Sequence, residues 1–262
     1  MKLGKIGIIG LGKMGMAIGR SLKGSSLMGY DIRPAAKRAA SRSGITPAKD
    51  SLELVSKSNI VILAIKPQEM KEVLVNIKDA VTARHLFVSI AAGISTRFIE
   101  KAAGEARVVR VMPNIALIAG RGAAAVCRGK RASRKDEFIV KEIFRRSGKV
   151  FSVAEKHINA VTALSGSGPA YFFEMIGHLI RSACDLGLDK QTCKNLAIQT
   201  AKGAVALLET TGKEPAELRD MVSSKKGTTA EALKVLKKYR LGSILDKAVK
   251  AAWKRAGQLS TA

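Results

Sequence analysis

The amino-acid sequence predicts an α/β protein: a doubly wound parallel sheet followed by an all-helical domain. Through the first 154 residues, short apolar runs alternate with amphipathic segments, which is the pattern of βαβ units in a parallel sheet. From residue 155 the strand pattern stops and long helical patterns follow. These two observations place one domain over residues 1–154 and a second over residues 155–262.

Runs rich in Ile, Val and Leu predict the strands, because strands covered on both faces read as nearly continuous apolar runs. They are residues 5–10, 27–31, 59–64, 86–90 and 108–111, with two further strands near 123–127 and 149–153. Amphipathic segments predict helices at 14–22, 34–43, 51–57, 68–77, 96–102 and 135–146.

The second domain is predicted to be helical throughout. Its helices are expected at residues 169–186, 190–208, 215–221, 229–239 and 244–259. Ala and Gly on the apolar faces of the first two leave little room for large side chains, which predicts tight helix packing, including packing between subunits.

Composition excludes several protein classes. The chain has 262 residues, of which 47% are hydrophobic, enough for real cores. It has no apolar stretch of the roughly 18 residues that a membrane span needs and no export-signal cleavage site, so we expect a cytoplasmic protein. The cysteines Cys127, Cys184 and Cys193 form no close pair in the sequence and are interpreted as small buried hydrophobes, so no metal site is proposed.

The net charge of +25 is the unusual global property. Such a charge concentrates anions around the protein, and an anionic cofactor and substrate fit it. The one dense basic cluster, residues 128–135, has no interleaved aromatic residues for base stacking, and we interpret it as a solvated loop and helix start. A nucleic-acid partner is therefore not expected, although a regulatory or nucleic-acid-binding protein stays an alternative on charge alone.

A glycine motif ends the first strand and opens the first helix. It reads Gly10-Leu11-Gly12-Lys13-Met14-Gly15, a Gly-x-Gly-x-x-Gly in a βαβ context. Gly10 allows the tight turn, Gly12 lets the backbone approach a pyrophosphate, and Gly15 lets helix and strand pack closely. Residues 10–15 are thus predicted to bind a nicotinamide dinucleotide at the helix amino terminus.

Asp31 ends the second strand, about 20 residues after the motif, where a carboxylate accepts hydrogen bonds from the adenosine ribose. A carboxylate also repels a 2′-phosphate, so the expected cofactor is NAD(P)H with NADH slightly favoured. The opposite preference stays open, because Arg33, Lys37 and Arg38 follow at once and would pair with a phosphate if Asp31 turned aside.

Two later strand ends supply further candidate cofactor-binding residues, because ligands of open α/β sheets lie at the carboxyl ends of the strands. Ala64, Lys66 and Pro67 follow the strand at 59–64, and Pro67 stops that strand and starts a helix. Asn114 follows the strand at 108–111, and its amide suits a nicotinamide carboxamide or a substrate.

Several runs occur together in a characteristic order. They are Ala64-Ile-Lys-Pro67, Val88-Ser-Ile-Ala-Ala-Gly93, Val111-Met-Pro-Asn114, Ala163-Leu-Ser-Gly-Ser-Gly-Pro-Ala-Tyr171, Gln199-Thr200, Asp220-Met-Val-Ser-Ser224 and Gly227-Thr228-Thr229. With the glycine motif, they make the sequence resemble the pyrroline-5-carboxylate reductase family over essentially its whole length. The resemblance implies a Rossmann-type domain followed by an all-helical dimerisation domain, assembled as a homodimer or a dimer-based larger ring.

The resemblance also implies a reaction and its residues. The reaction is hydride transfer from NAD(P)H to the C=N bond of 1-pyrroline-5-carboxylate, which gives L-proline in the last step of proline biosynthesis. It implies that Ser224, Gly227, Thr228 and Thr229 bind substrate, with backbone N–H groups of Gly227 and Thr228 on the carboxylate. Thr229 is implied to be catalytic, its hydroxyl lying near the ring nitrogen.

The sequence departs from the family pattern at two places. Lys225 and Lys226 stand where the family usually has Pro and Gly, and Ile115-Ala116 replace the usual Thr-Pro. A lysine in place of glycine either takes an ordinary backbone conformation or reshapes the loop. The alternative function is therefore a related NAD(P)H-dependent reductase of another cyclic imine or small acid.

Overall fold

The computed structural model describes residues 3–260, whose first part is built on an eight-stranded sheet in the order β3-β2-β1-β4-β5-β6-β7-β8. The strands are β1 Lys5–Ile9, β2 Ser26–Tyr30, β3 Thr46–Pro47, β4 Ile60–Leu63, β5 Leu86–Ser89, β6 Arg107–Pro113, β7 Gly122–Arg128 and β8 Gly148–Ser152. The order reverses between β1 and β4, as in doubly wound sheets.

Helices lie between most of these strands. They are α1 Lys13–Ser21, α2 Pro34–Arg42, α3 Ser51–Ser56, α4 Met70–Ile77, α5 Thr96–Ala103 and α6 Arg134–Arg145. Buried side chains of the central strands alternate between two clusters, one containing Ile6, Ile8 and Ile62 and the other containing Ile9, Val61 and Leu63. The sheet is thus covered on both faces, which is why its strands read as continuous apolar runs.

The predicted doubly wound sheet is confirmed and is parallel except at one pair of strands. Strand β7 pairs antiparallel with β6, with Val111 opposite Val126. Only residues 114–121 join the two strands, and a parallel connection needs a crossover of a dozen or more residues. Strand β8 then pairs parallel with β7, because α6 supplies such a crossover.

Strand β3 was not predicted from the sequence. It consists of Thr46 and Pro47 alone and lies at the edge of the sheet, next to β2. Two residues are too short for a visible pattern, and the proline signals a turn unless the edge position is known.

The second part of the chain is helical, as predicted. After α7 Ile158–Val161 and a π-helical turn over Thr162–Gly166 come α8 Gly168–Asp185, α9 Lys190–Thr211, α10 Pro215–Met221, α11 Thr228–Lys238 and α12 Leu241–Leu259. The described residues up to Ser167, with those from Ala251 onwards, form one compact unit, and Gly168–Lys250 form another. The sequence-based division at residue 154 stays a prediction. Across residues 3–260, no helix is long and apolar enough to cross a membrane.

The cysteines are less separate than the sequence suggests. Cys127 and Cys193 are buried, but Cys184 is only partly buried. The Cys184 and Cys193 thiols, nine residues apart, interact across the turn between α8 and α9, where Cys193 Sγ also lies 3.6 Å from Leu188 O. Cys184 and Cys193 are therefore neighbours in the structure although they are distant in the sequence, because the hairpin of α8 and α9 brings them together.

Candidate active site

The glycine motif forms a tight turn between β1 and α1. Gly10 has a φ of +94°, and a Cβ on it would collide with the carbonyl of Ala64. A Cβ on Gly15 would collide with the carbonyl of Gly10, so helix and strand pack too closely here for any other residue. The two glycines are thus required by the backbone itself.

The space beside Gly12 is open. An added Cβ at Gly12 would meet only the Arg33 Nη2 atom, at 3.9 Å. Gly12 is also the N-cap of α1, and no side chain caps this helix end. The first N–H groups of the helix, including those of Lys13 and Met14, therefore face outward without an intrahelical partner, which suits the pyrophosphate of a dinucleotide.

Asp31 lies buried at the end of β2 and is held against this turn. Its Oδ2 atom accepts a 2.8 Å hydrogen bond from the N–H of Leu11. Its Oδ1 atom accepts hydrogen bonds from the backbone N–H and the Nε of Arg33, both at 2.9 Å, and Arg33 Nη2 donates to Oδ2. Burial alone would raise the pKa of Asp31, but the Arg33 and Leu11 hydrogen bonds hold it below its usual value.

The segment after β4 meets the same turn. The N–H of Ala64 donates to the carbonyl of Ile9 at 2.8 Å, while the N–H of Gly10 donates to Tyr30 O. Lys66 is exposed and precedes the short helical turn Pro67–Glu69. The carboxyl ends of β1, β2 and β4 therefore bring residues 10–15, Asp31 and Ala64 together, with Lys66 and Pro67 next to them.

Asn114 is engaged with the protein itself. Its Oδ1 atom accepts from the N–H of Ala123 at 3.1 Å, and its Nδ2 atom lies 3.4 Å from Ser165 Oγ. The amide thus joins the β6–β7 connection to the π-helical turn that contains Ser165, and π-helical turns often mark functional sites. Ser165 was not among the predicted site residues, although the run 163–171 that contains it was the signal.

The loop before α11 forms a tight turn in the second unit. The N–H of Gly227 donates to Ser224 O at 3.0 Å, and Lys226 has a φ of +62°. A positive φ at the third of four turn residues is the mark of a type II turn, in which glycine is preferred. Lys226 therefore keeps a glycine-like conformation, so the ordinary backbone considered for this position is not observed.

The turn leaves the amino end of α11 open. Gly227 is the N-cap, and no side chain caps the helix. The N–H groups of Thr228 and Thr229 are consequently without intrahelical partners, and within residues 3–260 the Thr229 hydroxyl has no hydrogen-bond partner. Such a helix end suits a carboxylate.

Family models match both parts of the chain. Residues 155–259 match the model for pyrroline-5-carboxylate reductase dimerisation. Residues 5–93 match the model described as NADP oxidoreductase, coenzyme F420-dependent.

Individual relatives match nearly the full length. The chain is 38% identical to a pyrroline-5-carboxylate reductase of Methanosarcina acetivorans, covering 97% of each chain. It is 34% identical to the enzyme of that name from Pisum sativum, covering 97% of this chain and 96% of the other. A crystal structure of Plasmodium falciparum pyrroline carboxylate reductase with NADP bound superposes with a TM-score of 0.90 at 29% identity, covering 99% of each chain. The chain therefore belongs to the pyrroline-5-carboxylate reductase family.

Proposed function

We propose that this protein reduces the C=N bond of 1-pyrroline-5-carboxylate with NAD(P)H and so forms L-proline. The observation that carries the proposal is the full-length similarity to reductases of that name. The open glycine turn and the uncapped end of α11 are compatible with it, since one suits a dinucleotide pyrophosphate and the other a carboxylate.

The proposed chemistry needs positioning more than acid–base catalysis. The reduced nicotinamide supplies the hydride. A protonated cyclic imine is already electrophilic, so holding its carbon near the cofactor provides much of the rate. In this proposal the N–H of Thr228, beside Ser224 and Gly227, holds the substrate carboxylate, and the Thr229 hydroxyl bonds the ring nitrogen. The N–H of Gly227, which the resemblance also implied for the carboxylate, already donates to Ser224 O.

The cofactor set proposed from the sequence is kept: residues 10–15, Asp31, Ala64, Lys66, Pro67 and Asn114. For Asn114, a role in holding the Ser165 turn near the nicotinamide end is favoured over direct bonding to the carboxamide, because both ends of its amide are engaged. Asn114 is then a positioning residue.

The choice between the two cofactors is proposed to depend on the Asp31–Arg33 pair. Asp31 alone favours NADH, as the sequence suggests. However, both Asp31 oxygens already accept two hydrogen bonds each, and the Arg33 guanidinium lies beside Gly12. We therefore expect Arg33 to bind a 2′-phosphate and NADPH to be preferred, with a preference for NADH as the competing outcome.

We also propose that the chain acts as a homodimer or a dimer-based larger ring in the cytoplasm, with the 224–229 loop of one subunit serving the cofactor of its partner. Apolar side chains of the helical unit are exposed in the isolated chain, among them Phe173, Leu179 and Tyr239. Exposed apolar surface of this kind marks protein interfaces. Light scattering after size exclusion should give at least twice the 27.9 kDa chain mass, and a monomer would contradict the assembly.

The test of the reaction is cofactor consumption with defined substrates. NADPH should be oxidised when 1-pyrroline-5-carboxylate is supplied, with L-proline as product. The alternative, a reductase of another cyclic imine or small acid, is favoured by Lys225 and Lys226 beside the proposed carboxylate site and by exposed Ile115. A panel of six-membered cyclic imines and 2-keto acids separates the two, because the proposal requires the five-membered imine to be turned over best.

A further inference from the structure

Two cysteines lie at one end of the hairpin that α8 and α9 form. Cys184 is the penultimate residue of α8, and Cys193 is the fourth residue of α9. Both belong to the compact unit Gly168–Lys250. Only residues 186–189 join the two helices, and a connection this short makes consecutive helices antiparallel neighbours. The helix ends that carry the two cysteines therefore lie side by side.

Hydrogen bonds of the connecting turn hold these helix ends together. The N–H of Leu188 donates to Ala183 O at 3.4 Å, while its carbonyl lies 3.6 Å from Cys193 Sγ. The N–H of Gly187 donates to Cys184 O at 2.9 Å, and Gly187 has a φ of +96°. Leu188 thus contacts both the residue before Cys184 and the Cys193 thiol.

The two thiols also contact each other directly. Burial first, and then a hydrogen bond with the Cys184 thiol, raise the pKa of Cys193. Two sulfur atoms that share a hydrogen bond need only small side-chain rotations to reach the distance of about 2 Å that a disulfide bond requires. The hairpin therefore holds two thiols where they can be joined.

The two thiols differ in their access to solvent. Cys193 is 2% exposed, whereas Cys184 is only partly buried. A reagent in solution consequently reaches Cys184 first, and the Cys193 thiol lies beside the sulfur that has been modified. An accessible cysteine next to a second cysteine that resolves its modified form is the arrangement of redox-active pairs. Cys127 lies in the other compact unit, on β7.

We propose that Cys184 and Cys193 form a redox-modification site, a dithiol that a low-molecular-weight disulfide oxidises to an intramolecular disulfide across the α8–α9 hairpin. The Cys184 thiolate attacks one sulfur of the oxidant, which forms a mixed disulfide and releases one thiol. The Cys193 thiolate then attacks the Cys184 sulfur and releases the second thiol. Two electrons pass from the cysteines to the oxidant, and the two protons end on the released thiols.

The disulfide closes a loop of about ten residues, from Cys184 to Cys193. Closing such a loop stabilises the folded chain when the bond fits the folded geometry without strain. In a reducing compartment the dithiol is the resting form, and an excess of oxidised disulfide drives the pair to the disulfide. The proposal does not depend on which reaction the protein catalyses.

Oxidation of the full chain with glutathione disulfide, followed by blocking of free thiols and mass spectrometry without reduction, tests the proposal. Trypsin cleaves after Arg181, Lys190 and Lys194, so the two cysteines fall in separate peptides, 182–190 and 191–194. A disulfide between Cys184 and Cys193 joins these peptides into one product, which disappears on reduction. The variants are Cys184→Ser, Cys193→Ser and, as the control that keeps the pair, Cys127→Ser.

We expect the wild type and Cys127→Ser to lose two hydrogen atoms from the chain mass and to give the joined peptides at rates within about twofold of each other. Cys193→Ser should stop at a mixed disulfide of Cys184 with one glutathione, because no resolving thiol remains. Cys184→Ser should react at least about tenfold more slowly than the wild type, because the Cys193 thiol is buried. The oxidised wild type should unfold about 3 °C or more above the reduced wild type.

Several results would overturn the proposal. They are no disulfide in the wild type, a stable mixed disulfide at Cys184 in its place, or a disulfide between two chains. An oxidised chain that unfolds at a lower temperature than the reduced chain would also overturn it, since the hairpin would then have to move to form the bond. The wild-type peptides identify the linkage even if a serine variant fails to fold. Because peptide masses need no turnover, an enzyme inactive with 1-pyrroline-5-carboxylate would count against the proposed reaction and leave this site standing.

Discussion

The Arg33 guanidinium donates one 2.9 Å hydrogen bond to each oxygen of the Asp31 carboxylate. Leu11, inside the glycine motif, donates its N–H to the same carboxylate. Asp31 thus holds both the glycine turn, which we propose to bind the cofactor phosphates, and the arginine beside it. A residue that the sequence suggests as a ribose ligand also acts, in the structure, as a support for a cation.

Removal of that cation should change cofactor choice. We expect Arg33→Ala to raise the KM for NADPH by about 10- to 100-fold, because a charge-assisted phosphate contact contributes roughly 1.5–3 kcal/mol. The KM for NADH should change less than about threefold. Steady-state kinetics with both cofactors measure this, with Arg42→Ala as the control; equal effects on the two cofactors would remove Arg33 from the discrimination.

The Asp31 carboxylate should make stability depend on pH. The pKa of Asp31 is lower in the folded chain than its value of 3.8 in the unfolded chain. Asp31 therefore contributes fully to the free energy of unfolding above pH 3.8, and this contribution is lost as the pH falls through the folded-state pKa. We expect Asp31→Asn to lower the free energy of unfolding by about 1 kcal/mol or more at pH 7. Urea unfolding at a series of pH values from 7 down to 3 should show this difference shrinking, and a constant difference would contradict the assignment.

Lys226 should be less favourable than glycine in its turn. A left-handed conformation costs a residue with a Cβ roughly 1–2 kcal/mol, which exceeds the extra backbone entropy that glycine loses on folding. Lys226→Gly should therefore be more stable than Lys226→Ala by about 0.5–1 kcal/mol. At Lys225, whose φ is negative, Lys225→Gly should instead be less stable than Lys225→Ala. Chemical unfolding of the four variants measures both differences, and the same order at both positions would exclude strain at Lys226.

The three thiols should react at different rates. Burial first, and then the Glu155 charge, raises the pKa of Cys127 to about 12, so almost no thiolate exists at neutral pH. Cys184 is partly exposed and should react first with a disulfide reagent at pH 8. Cys127 should react only on unfolding. Mass spectrometry after timed labelling identifies each site, and early modification of Cys127 would mean that its strand opens easily.

The positions of the strands and helices that carry periodic patterns could be predicted from the sequence. Seven strands and the long helices appear within a few residues of their predicted positions, because burial on both sheet faces and amphipathic helices leave clear signals. The direction of β7 was not predicted as antiparallel, since its apolar run Gly122–Arg128 has the same pattern in either direction. Only the short connection from β6, residues 114–121, distinguishes an antiparallel from a parallel β7.

The candidate site was predictable in position but not in its contacts. The glycine motif and Asp31 are recognisable because their spacing is fixed by the βαβ unit. The pairing of Asp31 with Arg33, and that of Asn114 with Ser165, depend on side-chain conformations that no spacing reveals. The left-handed Lys226 was also hidden, because its conformation comes from the turn that Gly227 closes with Ser224.

The most direct test of the central claim is kcat/KM with 1-pyrroline-5-carboxylate and NADPH for the wild type, Thr229→Ala and Thr229→Ser. If the chain is a pyrroline-5-carboxylate reductase whose Thr229 hydroxyl bonds the ring nitrogen, the wild type should turn over this imine. Thr229→Ala should then lower kcat/KM about tenfold or more, and Thr229→Ser should retain most of the wild-type kcat/KM. Absence of turnover by the folded wild type at any substrate concentration would contradict the function, and an unchanged rate in Thr229→Ala would remove Thr229 from the mechanism.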